Sequence, residues 1–339
     1  MQGIDEERVG AWLDRAIEGV EGPYQYKLIA GGRSNLTFLV ADSHGTRMVL
    51  RRPPLGHVLA TAHDMEREHR LISAVGKTNV PVPRTLGLCT DVEVNGAPFY
   101  VMSYVEGKVL SSPEDGQQLP EHLRRPASEH LIDVLADLHA VDVDEVGLGN
   151  LAKREGYVER QVKRWTTQWE NSKTRELPAI EEVGRRLAAN IPVQQGVAIA
   201  HGDYRFGNCL TDVENGRIAA VLDWELCTLG DPLADLGYIG VYWTDYGQPI
   251  MRATDPSGIV GFPTYAELVD RYARITGRDV SLIGYYRAFS SWRLAVISEG
   301  VYARYLHGAM ADDGYDPGPM KAGTEQLAEA ALDALKGIN

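Results

Sequence analysis

Apolar residues recur at helical spacing over residues 9–20, where Val9, Trp12, Leu13, Ala16, Ile17 and Val20 share one face, so an amphipathic helix is predicted at the start of the chain. Extended pattern follows it. "YQYKLIAGGRSNLTFLVADSHGTRMVLRRPP" reads as two or three strands, with turns at Gly31-Gly32 and His44-Gly45 and a stop at Pro53-Pro54. "HDMEREHRLISAVG" places Met65, His69, Leu71, Ile72 and Val75 on a common helical face closed by Gly76. "VPVPRTLGLCTDVEVNGAPFYVMSYVEG" then reads as an extended segment, a strand, a hairpin turn at Asn95-Gly96 and an apolar strand from Phe99 to Val105.

After Gly107 the pattern changes. "KVLSSPEDGQQLPEHLRRP" is polar and turn-rich, and in the helical pattern beyond it Leu131, Val134, Leu135 and Leu138 form the stripe of a buried helix. Further helices are predicted at about 155–170, 178–190, 264–276, 281–306 and 324–337, with strands only around 198–224. The expectation is an α+β chain in two parts, residues 1–105 rich in strands and 106–339 mainly helical.

Composition narrows the function classes. The 339 residues are 44% hydrophobic and 24% charged, as in ordinary globular proteins, and carry a formal net charge of -13. No basic surface is available for a phosphate polymer or an anionic membrane, so neither nucleic acid nor membrane is an expected partner. No apolar run approaches the roughly 18 residues of a membrane span. Cys89, Cys209 and Cys227 are odd in number and widely spaced, which argues against a disulfide framework and a zinc site. The N-terminus is acidic, without a basic start leading into an apolar stretch, so no secretory leader and a cytoplasmic location are expected. There is neither an HExxH nor a GxSxG motif.

The chemistry concentrates in "HGDYRFGNCL", residues 201–210, followed by "TDVENGRIAAVLDWE". Asn215-Gly216 lies between two apolar runs, a strong short hairpin signal because both residues tolerate positive φ. With a two-residue loop the numbers of paired positions total 431, which sets Asn208 opposite Asp223 with Cβ atoms about 4.5–5.5 Å apart. An amide oxygen and a carboxylate so placed can share Mg²⁺, a hard cation that takes oxygen ligands and keeps positions for phosphate oxygens. Asp203, in the turn before, would overhang the same spot, where a carboxylate can orient a hydroxyl and accept its proton. The alternative is a hairpin whose Asn and Asp satisfy local turns, with a longer loop altering the register.

"HGDYRFGNCL" with "VLDWE" resembles the catalytic loop and metal motif of the aminoglycoside phosphotransferase family, relatives of protein and choline kinases. "GDPLADLGY" downstream is similar to that family's stretch after the metal aspartate. The resemblance spans residues 25–305. It implies a two-lobed protein-kinase-like fold, with a nucleotide-binding lobe over 1–105 and a catalytic and acceptor-binding lobe over 106–339. It further implies Asp203 as catalytic base and Asn208 and Asp223 as Mg²⁺ ligands. The common loop has His-Pro where this chain has Arg205-Phe206; Arg205 would touch the transferred phosphate, or else simply pair with a nearby carboxylate. Asp231 and Asp235 read as turn and helix-start carboxylates bracing the loop.

At the nucleotide end, "AGGRSNLTF" offers Gly31, Gly32 and Ser34, whose small side chains leave backbone N–H groups free to face an anion. The loop lacks the kinase GxGxxG spacing. Its GGxSN form, which includes Asn35, resembles that of phosphotransferase domains linked to acyl-CoA dehydrogenases. The family's lysine on the next strand is absent from "RMVLRRPP". Strand alternation puts Val49 and Arg51 on one face and Leu50 and Arg52 on the other, and the resemblance aligns Arg51 with the missing lysine. Glu68 is its expected partner, with Glu66 the alternative. "FYVMSYVEG" resembles the hinge on which adenine stacks, Met102 to Tyr104 supplying the edge.

Aromatic residues Trp165, Trp169, Tyr238, Tyr242, Trp243, Tyr246, Tyr302 and Tyr305 crowd the second part, as core or as acceptor site, and acidic Asp245 and Glu299 nearby could meet an amine. The combined expectation is a kinase using ATP or GTP with Mg²⁺ on a small-molecule hydroxyl of aminoglycoside, choline-like or hydroxyacyl type. The competing reading is a nucleotide-binding pseudokinase, suggested by arginine in place of lysine.

Overall fold

The computed structural model describes residues 1–30, 35–55, 64–248, 254–308 and 316–336. In the N-terminal part, helix α1 (Glu6–Ala16) precedes strands β1 (Gln25–Ala30), β2 (Leu36–Ala41) and β3 (Arg47–Arg52), then helix α2 (Met65–Val75), β4 (Thr85–Cys89), the one-turn α3 (Val92–Asn95) and β5 (Phe99–Ser103). The strands form an antiparallel sheet in the order β1-β2-β3-β5-β4. Period-two alternation gives its two faces different tasks. Phe38, Val40, Met48, Leu50, Phe99 and Val101 pack beneath α1 with Val9 and Leu13 as one core. Val49, Tyr100 and Met102 point the other way, into the larger core they share with α2 and the helical part. Arg51 lies on the Val49 face, whereas Arg52 on the opposite face donates to Gly3 O at 2.7 Å and Asn95 O at 3.1 Å.

One turn differs from expectation. Asn95-Gly96 ends the helical turn α3 rather than forming a two-residue hairpin loop: Asp91 accepts from Glu93 N, and Gly96 takes the left-handed position at φ 72°. A capping aspartate four residues before the Asn favours the helical turn over the strand reversal.

The C-terminal part contains β6 (Lys108–Val109), α4 (Pro113–Gln118), α5 (Glu121–Ala140), α6 (Tyr157–Ser172), α7 (Pro178–Ala189), β7 (Ala198–Ala200), β8 (Cys209–Asp212), β9 (Arg217–Val221), β10 (Thr228–Gly230), α8 (Leu233–Ile239), α9 (Tyr265–Thr276), α10 (Ile283–Leu306) and α11 (Gly318–Ala334). The α5 stripe is buried as its spacing predicts. Helix α10 contacts α6, α7, α8 and α11, so it carries apolar side chains nearly all round. Strands extend beyond 198–224: β6 pairs with β8 and β10 with β7. Both are too short for periodicity to reveal them. The architecture is thus α+β, a β-rich lobe on a mainly helical one.

Candidate active site

Strand β7 leads into the turn His201-Gly202-Asp203. Gly202 has φ +84°, and a Cβ there would meet Leu226 O at 2.9 Å, so both conformation and space require glycine. The buried Asp235 of α8 accepts from His201 N at 2.7 Å and Gly202 N at 2.8 Å. His139 of α5 braces Asp235 in turn through Nε2 at 3.2 Å, while its Nδ1 meets the Tyr272 hydroxyl at 2.7 Å. Burial raises the Asp235 carboxyl, but His139, His201 and the Gly202 N–H outweigh it and hold the group below its ordinary value. The His201 ring bridges two parts of the site: Nε2 donates to Leu222 O at 2.9 Å, and Nδ1 accepts from Asp203 N at 3.3 Å.

Asp203 is partly exposed and pairs with Arg205 Nε at 3.2 Å. The Arg205 guanidinium lies over the Tyr242 ring, 4.6 Å from its centroid, and Gly207 leaves it room, since a Cβ there would collide with Nη1. Here Arg205 pairs with a neighbouring carboxylate, Asp203. Asn208 closes a single 3-10 turn, its Nδ2 donating to Asp203 O at 2.8 Å, which leaves Oδ1 as its acceptor.

The hairpin register departs from the 431 total. The loop has four residues, because Asp212 Oδ1 accepts from Glu214 N and Asn215 N while Gly216 N donates to Asp212 O. β9 also carries a bulge at Ala219, so Leu210 pairs with Ala220 and Cys209 with Val221. Asn208 O consequently accepts from Leu222 N at 2.8 Å, and Asp223, the expected partner, stands one residue beyond the observed one. Asp223 resolves the offset by turning its backbone: at φ 61° and ψ 66° it is the single positive-φ residue other than glycine among the described residues. Asn208 and Asp223 line the same cavity of about 520 Å³ between the lobes.

Arg51 reaches this cavity from β3. Its Nε lies 3.0 Å from Glu68 Oε1 on α2, and its Nη2 lies 2.6 Å from Asp223 Oδ1. Glu68, not Glu66, is therefore the α2 carboxylate at this position; it is 3% exposed, and the Tyr100 hydroxyl also bonds to it. Burial works against the Arg51 charge, yet Glu68, Tyr100 and Asp223 more than offset this and hold the guanidinium above its ordinary range. Met102 and Tyr104 line the cavity, but Tyr104 N already donates to Arg47 O at 3.4 Å, and Arg47 covers the Tyr104 ring. Asn35 is buried at the start of β2. Gly31, Gly32 and Ser34 lie outside the described residues.

The donor set suits a hard cation. Asn208 and Asp223, both lining the cavity, offer an amide oxygen and a carboxylate, and Asp223 already pairs with a cationic group, the Arg51 guanidinium. No cluster of three or more His, Cys, Asp or Glu suited to a metal exists among the described residues, so a cation here would draw its remaining oxygens from phosphate or water.

The two acidic residues named for an amine-bearing acceptor both make hydrogen bonds within the fold. Asp245 accepts from Tyr265 N at 2.8 Å, and the buried Glu299 accepts from Thr174 N at 3.1 Å and its hydroxyl at 2.6 Å. Conversely, sequence reasoning passed over His139 and Tyr100, polar groups set in apolar helix and strand patterns, whose misfit was the available signal.

Comparison with known proteins identifies the family. The family model described as phosphotransferase enzyme family matches residues 25–268. Acyl-CoA dehydrogenase family member 10 of Mus musculus is 36% identical over 336 residues, 95% of this chain but 30% of that protein, so the chain spans under a third of that relative's length. A Ralstonia eutropha JMP134 structure, described as a candidate aminoglycoside phosphotransferase, is 32% identical with a TM-score of 0.84, covering 98% of each chain. Choline kinase from Cryptosporidium parvum has a TM-score of 0.68 at 14% identity, covering 98% of this chain and 96% of its own, a likeness of fold. Sequence match and two-lobed architecture converge, and the chain belongs to the phosphotransferase enzyme family, with the fold of its small-molecule kinases.

Proposed function

We propose that this protein transfers the γ-phosphoryl group of ATP or GTP to a hydroxyl of a small molecule, residues 1–105 binding the nucleotide and 106–339 providing the base and the acceptor site. The observation that carries the reading is the convergence of Arg51, Asn208 and Asp223 on one cavity, with Asp203 held just behind Asn208. A volume near 520 Å³ suits a nucleotide. Met102 and Tyr104 flank the base, while Arg51 offers a fork to phosphate oxygens once it leaves Asp223. Gly31, Gly32, Ser34 and Asn35 belong to the phosphate-facing loop in this reading.

Asp203 accepts the proton as the acceptor oxygen bonds to the γ-phosphorus; the bond to the bridging oxygen breaks and the nucleoside diphosphate leaves. Arg205 Nε donates to Asp203 Oδ1 at 3.2 Å and so orients the carboxylate, and Asn208 and Asp223 would hold Mg²⁺. That cation, when bound, neutralises charge on the β- and γ-phosphates. Glu299, buried and bonded to Thr174, braces the fold rather than an acceptor, whereas Asp245 keeps Oδ2 for one. Three buried free cysteines favour a reducing compartment such as the cytoplasm, and no helix among the described residues is long and apolar enough to cross a membrane.

The test is ADP release across aminoglycosides, choline, macrolides and hydroxyacyl thioesters with MgATP. Asp203→Asn should cut turnover by about 10²- to 10⁴-fold while leaving nucleotide affinity intact; retained turnover refutes the base assignment. The pseudokinase alternative draws on the internal pairing of Arg51 with Asp223 and Arg205 with Asp203. MgATP binding with no transfer to any acceptor, water included, would select it.

A further inference from the structure

The side chain of Arg293, midway along α10, is embedded against the catalytic turn. The residue is 8% exposed, and Nη2 donates to Gly202 O at 2.7 Å. Its guanidinium lies over the Tyr238 ring, 4.7 Å from the centroid, and near Phe289 at 6.0 Å. Among the described residues no carboxylate comes within ion-pair distance, and Nε has no hydrogen-bond partner. Asp203 and Asp235 are the nearest carboxylates whose charge it feels, with Tyr157 of α6 and Tyr238 of α8 the other titratable neighbours.

Burial works against the Arg293 charge, and Tyr238, Tyr157, Asp203 and Asp235 together more than offset it, so the guanidinium is held charged against the catalytic turn. Stacking on Tyr238 contributes to this. Its hydrogen bond goes to Gly202. Asp235 holds its N–H and Arg293 holds its C=O, so the residue immediately before Asp203 is gripped at both ends. A charge-assisted bond is shorter and stronger than a neutral one, as a peptide at φ +84° requires if the next side chain is to keep one direction.

We infer that Arg293 is a positioning residue for phosphoryl transfer, fixing the Gly202 carbonyl so that the Asp203 carboxylate stays aimed at the attacking oxygen. This rests on the reading of Asp203 as base. The misalignment caused by losing the grip lowers kcat without touching the nucleotide pocket, which lies on the other side of Asn208.

ADP release from MgATP, with water as acceptor, is measured for wild type, Asp203→Asn, Arg293→Met and Arg293→Lys, alongside MgATP affinity by calorimetry and Tm. Arg293→Met is expected to lower kcat on the order of 10- to 100-fold with nucleotide KM and Kd within about twofold. Its Tm should fall only modestly, because the Gly202 carbonyl loses a charged donor while the nucleotide Kd does not move with it. Arg293→Lys, which keeps a charged donor, should recover part of kcat. Wild-type kcat in Arg293→Met overturns the inference, as does a loss shared by Tm and Kd that lysine does not relieve. If Arg293→Met does not fold, wild-type kcat in Arg293→Lys supports the charged grip and a kcat as low as that of Asp203→Asn overturns it. Full turnover in Asp203→Asn instead removes the base assignment itself, a distinct outcome.

Discussion

Replacing Arg51 by methionine leaves Glu68 at 3% exposure with only the Tyr100 hydroxyl for company, and frees Asp223 from its 2.6 Å contact. Removing one member of a buried ion pair costs about 3–5 kcal/mol, because the other charge stays desolvated. Arg51 itself is 13% exposed, which places the cost near the lower end, about 3 kcal/mol. At roughly 2 °C per kcal/mol for a chain of this size, Tm should fall by about 6 °C. The double variant Arg51→Met with Glu68→Leu eliminates the stranded carboxylate and should regain most of that loss. Nucleotide binding should behave differently. A charge-assisted contact contributes about 1.5–3 kcal/mol, so both variants should bind MgATP about 10- to 100-fold more weakly. Differential scanning fluorimetry reads the first quantity and calorimetry the second. A double variant no more stable than the single one, or a single variant as stable as wild type, refutes the buried-pair reasoning. Wild-type MgATP affinity in both variants refutes a phosphate role for Arg51.

Gly202→Ala places a Cβ 2.9 Å from Leu226 O at φ +84°, so it should destabilise by at least about 1–2 kcal/mol and abolish ADP release while MgATP still binds; unchanged turnover would contradict the catalytic-turn geometry. His130 Nδ1 accepts from Ile218 N at 3.0 Å at the edge of the β9 bulge, and burial holds its pKa below the ordinary value. A His depressed in the fold contributes stability that is present above its unfolded value of about 6.5 and lost as pH falls through its folded value. Tm should therefore drop on acidification below about pH 6.5, and less steeply in His130→Gln, whose amide oxygen accepts at any pH; identical slopes in the two proteins would remove His130 from the account.

Much of the fold is legible in the order of residues. Helical spacing locates α1, α2, α5, α7, α9 and α10 to within a few positions, because each buries one stripe against a neighbour and the stripe is written locally. Alternation in "RMVLRR" sends Arg51 toward the cavity and Arg52 away from it before any contact is known. What escapes is whatever depends on a single hydrogen bond. Asp91 turns Asn95-Gly96 from a hairpin into a helix end, and Asp212 lengthens the next hairpin loop to four residues.

The candidate site divides along the same line. Asp203, Asn208 and Asp223 stand out as a motif, since backbone turns impose their spacing within one stretch of chain. Their mutual placement was decided elsewhere: the four-residue loop moves the register by two positions, the bulge at Ala219 returns one of them, and Asp223 turns left-handed where it lines the cavity. The contact of Arg51 with Asp223 joins residues 172 positions apart, and that of Arg293 with Gly202 joins residues 91 apart. Sequence alone determined the residue types and their local periodicity, because these follow from short-range sterics and burial. Only the packed lobes decided which charges face each other, because Coulomb and hydrogen-bond energies depend on distances that chain order does not encode.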